Sequence, residues 1–306
     1  MVPASRRRYV NRGVLVLAAG LLLPGGLGAQ AICAAPHSSP SLRSSGSIET
    51  IEPLTGWVQV SFFRQRSTEF YNQLGDLQPL LANTAVRTNS IFVTSAFGIT
   101  EGLEVWGQLP IHDLESTSSA GDSGRRGLGD PRFAVRVGSE LLGLPHLPVM
   151  VRGGVKFAGT NFPVDATIIP LSEGQTDWEV SLETGYYFSG AFPLQVIGSV
   201  GYRWRRLNED NGRKPGDERF AFLSVGGPQS GWRWSLAVEA LWGKAPVDNG
   251  LKLTSSKRKL IQLDPSLAYQ LGRTEVEVAL RLPVAGRNLA SANALTIGFY
   301  VPWALP

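Results

Sequence analysis

The chain has 306 residues, with 29 Lys and Arg against 25 Asp and Glu and a formal net charge of +4. Arg6, Arg7, Arg8 and Arg12 near its start account for that excess, so the rest is about neutral and offers nucleic acid no basic surface. A single cysteine excludes an internal disulfide framework. Nor is there a phosphate-binding glycine motif, a His-x-x-x-His pair or a carboxylate-rich calcium loop, so no cofactor and no metal is expected.

In chain order, residues 1–35 read as a cleaved leader. The arginines precede an apolar run from Val14 to Leu23, which is too short to cross a bilayer as a helix. Ala29-Gln30-Ala31 follows, a small-x-small pattern, and cleavage is expected between Ala31 and Ala35. Ser5 to Asn11 also resembles a twin-arginine export motif, but a basic leader suffices for the ordinary route. Cys33 follows Ile32 where a lipoprotein site needs a small residue, so no lipid anchor is expected. Residues 36–56, rich in Ser, Pro and Gly, read as a flexible periplasmic lead-in.

From residue 57 to 306 the chain alternates apolar and polar residues with the period of two-faced strands. The ninth strand is typical: Trp232, Trp234, Leu236, Val238, Ala240 and Trp242 share one face, and Arg233, Ser235, Ala237 and Glu239 the other. The pattern predicts strands at 57–66, 86–98, 102–111, 129–140, 148–157 and 176–188, then at 193–205, 217–226, 231–243, 258–270, 274–283 and 292–301. Links after even-numbered strands are short, whereas 67–85, 113–128, 158–175, 206–216 and 244–257 are long and polar. That rhythm predicts an all-β fold, a transmembrane antiparallel up-and-down β-barrel of about twelve strands with both ends on the periplasmic side. Tyr186, Phe188, Trp232, Trp234, Tyr269, Phe299 and Tyr300 are expected near the periplasmic interface, and Trp178, Trp204 and Trp242 near the outer one.

Several segments resemble a known family: GITEGLEVWGQLP at 98–110, GLGDPRFAVRVG at 127–138, VRGGVK at 151–156, GQTDWEVSLETGYYFSG at 174–190, VGYR at 200–203 and the terminal IGFYVPW. They are similar to the transporter-like barrels named for the MetA pathway of phenol degradation. The resemblance covers most of the chain after the leader. It departs after the fifth strand, where many members carry Pro-Thr-Gly and this chain has Phe157-Ala158-Gly159-Thr160. It implies a protein of the Gram-negative outer membrane that passes small, often aromatic or hydrophobic compounds.

On the face opposite the apolar stripe the charges are arranged by strand. Arg132 and Arg136 are followed by Arg152 and Lys156, then by Glu179 and Glu183, then by Arg203 and Arg205. Arg233, Glu239, Glu275, Glu277 and Arg281 add a mixed patch. These are the candidate lumen-lining residues; the plainer reading is a set of cross-strand salt bridges. The link at 67–85 carries Phe70, Tyr71 and Leu74 and is the candidate constriction, with a mobile surface loop as its alternative. The glycine-rich run at 121–129 reads as a flexible outer loop. The histidines are His37, His112 and His146; His112 has Asp113 and Ser116 nearby but no orienting third group, so no enzyme is expected. The expected function is an outer-membrane channel or facilitated-diffusion porin, with membrane lipid and a small solute as partners. Its rival is a non-conducting barrel whose outer loops bind a surface partner.

Overall fold

Strands with one apolar and one polar face can bury both only by closing on themselves between two different solvents, and this chain does so. The computed structural model describes residues 49–305 except 120, 145–146 and 162–167. The expected leader, Cys33, His37, His146 and most of the expected lead-in lie outside the described residues. Twelve staves form the wall: β1 (Thr55–Ser67), β2 (Ala85–Thr100), β3 (Leu103–Ser118), β4 (Gly121–Leu128 and Arg132–Gly138, taken together), β5 (Val149–Lys156) and β6 (Asp177–Phe188). The rest are β7 (Leu194–Arg205), β8 (Glu218–Gln229), β9 (Trp232–Gly243), β10 (Lys259–Leu271), β11 (Thr274–Arg287) and β12 (Ala294–Ala304). Each pairs antiparallel with its neighbours in sequence. β1 and β12 close the ring, in register from Thr55 opposite Ala304 to Gln65 opposite Ala294. Closure leaves no free sheet edge in the ring. Both barrel termini lie at one rim, where the Leu305 N–H donates to the Leu54 carbonyl over 2.8 Å.

The two faces are inverted relative to a soluble protein. Phe62, Leu182, Val200, Leu223, Leu236, Val278 and Leu295 stand exposed on the outside, while Gln59, Ser61, Glu104, Arg136, Asp264 and Thr296 are buried inside. An exposed apolar belt around a polar interior is a surface made for lipid. Trp178 and Trp204, directly opposite each other and half exposed, mark the upper edge of the belt with Trp242. At the lower edge Tyr186 packs on Phe188 at 4.7 Å and Trp232 on Tyr269 at 4.6 Å. Tyr300 lies at this lower end too but faces inward, 5.4 Å from the Trp57 ring, because it shares the alternation of Thr296 and Gly298 rather than that of Phe299.

Two upper links are also more ordered than their composition predicts. The run at 113–128 is not a loop: β3 and the first half of β4 pair from Ile111 opposite Leu128 to Ser118 opposite Gly121, so the glycine-rich run is a strand of a projecting hairpin. Above the belt most of this hairpin meets water, its inner face being covered only where Ile169 and Leu171 pack on Leu114, so it carries no sustained apolar period to read. The link at 68–84 forms a small sheet of its own, Glu69–Tyr71 between Leu77–Pro79 and Leu289–Ser291. Its turn is held by the Asn72 side-chain oxygen, which accepts the N–H groups of Leu74, Gly75 and Asp76.

Candidate functional site: the barrel interior

Alternation aims every second residue of the wall inward, so the interior is built from rows contributed by adjacent staves. At the level of β3 to β6, Arg136 bridges Glu104 and Glu183, each at 2.8 Å, with only 2 % of its own side chain exposed. Glu104 also accepts the Trp106 indole N–H at 2.8 Å and the Ile51 backbone N–H at 2.6 Å. Ile51 thereby tucks against the Trp57 and Trp106 rings, so the chain just before β1 lies across the lower end of this wall. Arg152 stands 3.8 Å from Glu179, 3.9 Å from Glu183 and 5.7 Å above the Trp106 ring. Arg132 lines a small void with Gln108 and Lys156. Further round, Arg233 meets Glu275 at 2.7 Å and Glu277 at 3.6 Å, and Arg281 reaches Glu239 at 4.0 Å.

The upper end holds a denser knot. Lys156 contacts Glu173 at 2.7 Å, Asp130 at 3.0 Å and Asp177 at 3.2 Å. Arg205 contacts Glu173 at 2.7 Å, Asp177 at 2.8 Å and Glu218 at 3.1 Å. Arg203 joins Glu179 at 2.6 Å to Glu218 at 3.2 Å, and Arg258 pairs with Glu218. Charges taken out of water at this density are tolerable only because the most buried of them, Lys156, Arg203, Arg205, Asp177 and Glu218, each meet two or three partners of opposite sign.

One member of the knot, Glu173, comes from the link between β5 and β6. The segment before it folds into the mouth: Ile169 and Leu171 pack on Leu114 of β3, and Pro170 is fully buried. Ser172 donates to Asp130, as does the Glu173 N–H at 3.1 Å, and Asn208 donates to the Glu173 carbonyl at 2.8 Å. The segment therefore crosses from β3 to β7 and covers that side of the upper opening. Burial opposes ionisation of Glu173, but Arg205, Lys156 and Arg258 outweigh it and hold the carboxyl well below the usual carboxylate range. The apolar run Ile168 to Leu171 was the available sequence signal for this inward fold.

On the opposite side, the Tyr71 ring lies against Gly286 of β11 with its hydroxyl 3.4 Å from the Pro283 carbonyl oxygen. Phe70 is half-buried in the small sheet, and Leu74 is 71 % exposed at its turn. His112 faces inward, its Nδ1 2.7 Å from the Ser90 hydroxyl and its ring edge-on to Phe92, while Asp113 faces outward. The successive positions place His112 and Asp113 on opposite sides of the wall.

The interior widens downward. At mid-height a cavity of about 70 Å³ lies among Arg152, Glu179, Glu183, Phe222, Glu239 and Gln262. Below it a cavity of about 800 Å³ reaches the lower rim, lined among others by Trp57, Ile197, Ser224, Arg233, Ser235 and Tyr300.

No protein-family profile matches the chain, and no curated protein matches it. Among solved structures, an outer membrane channel from Pseudomonas putida F1 is similar at 15% identity over 84% of this chain and 98% of that one, with a TM-score of 0.67. The CymD monoaromatic hydrocarbon channel aligns at 8% identity over 83% and 89%, with a TM-score of 0.42. A TodX monoaromatic hydrocarbon channel, in a deltaS2 mutant, aligns at 8% over 84% and 91%, with a TM-score of 0.43. At these identities the likeness to the Pseudomonas channel bears on the barrel fold.

Proposed function

We propose that the chain, exported by its leader, is a channel of the Gram-negative outer membrane that passes small aromatic or hydrophobic molecules by facilitated diffusion. The observation that carries this reading is a closed lipid-facing barrel whose polar interior opens downward into a cavity of about 800 Å³ and is covered above by a folded-in link. A sealed scaffold has no need of so large a lower cavity.

In this reading a solute enters where residues 168–175 and Tyr71 narrow the mouth, and the link must swing aside to admit it. Arg132, Arg136, Arg152, Lys156, Glu179, Glu183, Arg203 and Arg205 then offer hydrogen bonds along one wall, and Arg233, Glu239, Glu275, Glu277 and Arg281 along the other. Most of these groups already satisfy one another, so they favour a solute that makes few hydrogen bonds and stacks on rings. Trp57, Trp106 and Tyr300 supply such rings near the lower cavity. The likeness of fold to an outer membrane channel supports the reading.

The test is single-channel recording of the purified protein in planar bilayers, with and without simple aromatic acids. Discrete steps that an aromatic solute blocks are expected. A stable, heat-modifiable barrel that never conducts would overturn the channel and leave a scaffold that presents its upper loops.

A further inference from the structure

The ion pairs of the interior have no counterpart on part of the outer face. Strand register places Tyr202 of β7 opposite Arg219 of β8, Arg219 opposite Trp242 of β9, Trp242 opposite Lys259 of β10, and Lys259 opposite Arg287 of β11. All five lie on outward-facing positions near the upper rim. Neighbouring strands are about 4.8 Å apart, so Lys259 and Arg287 are like charges in directly opposed positions, an arrangement that costs free energy unless an anion lies between them. Among the described residues Arg219, Lys259 and Arg287 make no ion pair. The nearby carboxylate, Asp217, is already engaged by the Tyr202 hydroxyl at 2.9 Å, the Arg205 N–H at 3.1 Å and Lys244 at 3.5 Å.

Below this row the wall is hollowed. A groove of about 870 Å³ runs over β5 to β9 on the outer face, with Val151, Val180, Leu182 and Val200 along it and Tyr202, Arg219 and Trp242 at its upper end. An apolar trough that ends in rings and cations has the chemistry of a phosphorylated lipid: acyl chain in the trough, glycerol or sugar at the rings, phosphate among the cations.

We propose that this row and groove form a binding site for one anionic phospholipid-type molecule of the outer leaflet, with its phosphate on Arg219, Lys259 and Arg287. The inference rests on the outer-membrane placement proposed above. The bound phosphate relieves the opposition of Lys259 and Arg287, and the lipid becomes part of the outer wall of β7 to β11.

The test is native mass spectrometry of the full-length exported protein in neutral detergent, titrated with phosphatidylglycerol, phosphatidylcholine or inorganic phosphate. One phosphatidylglycerol per barrel is expected to be retained in preference to phosphatidylcholine. Each of Arg219→Gln, Lys259→Gln and Arg287→Gln should lower that affinity about 5-fold, and the triple variant on the order of 100-fold. Val200→Trp, which fills the groove and leaves the cations intact, should also displace the lipid. Equal retention by the triple variant, or displacement of the lipid by inorganic phosphate alone, would overturn the site. Insertion into phosphatidylcholine vesicles is scored in parallel by heat-modifiable migration. A protein that inserts without lipid preference refutes this site alone, and one that never inserts refutes the membrane placement with it.

Discussion

Arg136 ties Glu104 to Glu183 inside the wall, and Glu104 in turn holds the Trp106 indole and the Ile51 backbone. Removing the guanidinium leaves two buried carboxylates without their bridging cation, a loss of about 3 to 5 kcal/mol. Arg136→Ala is therefore expected to lower the unfolding free energy in vesicles by that amount, measured by urea titration. Arg136→Lys should lose less, because an ammonium keeps the charge but not the planar fork that reaches both partners. Glu173 makes a different prediction because it lies on the link rather than on a stave. Its carboxyl is held below the usual range in the folded link, so its contribution to closure is present above the ordinary carboxylate value of about 4.3 and fades as pH falls from there towards the depressed folded value. Conductance should stay constant from neutrality to about pH 5 and rise only in stronger acid. In Glu173→Gln that acid response should disappear and the resting conductance should be higher. A rise that begins between neutral pH and about pH 5 would assign the response to a different group.

At the scale of the element, the staves were legible because each carries a sharp contrast between its faces: β9 sets Trp232, Leu236, Val238 and Trp242 against Arg233, Ser235 and Glu239. The charged rows were legible for the same reason, since alternation assigns a face before any contact is known. What escaped was structure outside the lipid belt. The 121–128 arm of the hairpin carries Gly, Ser, Asp and Arg and is exposed along most of its length, and residues 168–175 of the next link depend on Leu114 of β3, Arg205 of β7 and Arg258 just before β10, all distant in sequence. The run at 157–160, where the chain departs from the family pattern, includes one constraint of that kind. Gly159 crosses the break in β4, its N–H donating to Asp130 at 3.1 Å, and a Cβ there would be driven into the Gly129 carbonyl oxygen. At Gly127 a Cβ would sit 2.8 Å from Leu171. Gly159→Ala is thus expected to dislodge the link and raise unitary conductance, while strand content by circular dichroism stays unchanged. Unaltered conductance with a normal barrel would mean that the link does not limit passage.

At the scale of the whole molecule, closure and inversion are one property. A ring of twelve antiparallel staves satisfies the backbone of the wall without an edge, and only then can the outside be given over to apolar side chains. The consequence is that adjacent residues of one stave answer to different solvents. Val200 lies midway along β7 and is 59 % exposed on the outer face, whereas Ser199 beside it lines the mid-height cavity. A cation at the bilayer midplane costs about 2 to 4 kcal/mol on the lipid face of such a barrel. Val200→Arg should therefore reduce the folding free energy into phosphatidylcholine vesicles by about that amount. Ser199→Lys, turned towards Glu179, Glu183 and Glu239 across the cavity, should be tolerated far better and should instead shift the anion-to-cation permeability ratio of any conducting pore towards anions. If both substitutions destabilised folding equally, or Val200→Arg were neutral, the belt would not be facing lipid. The inward and outward assignments of β7 would then have to be exchanged.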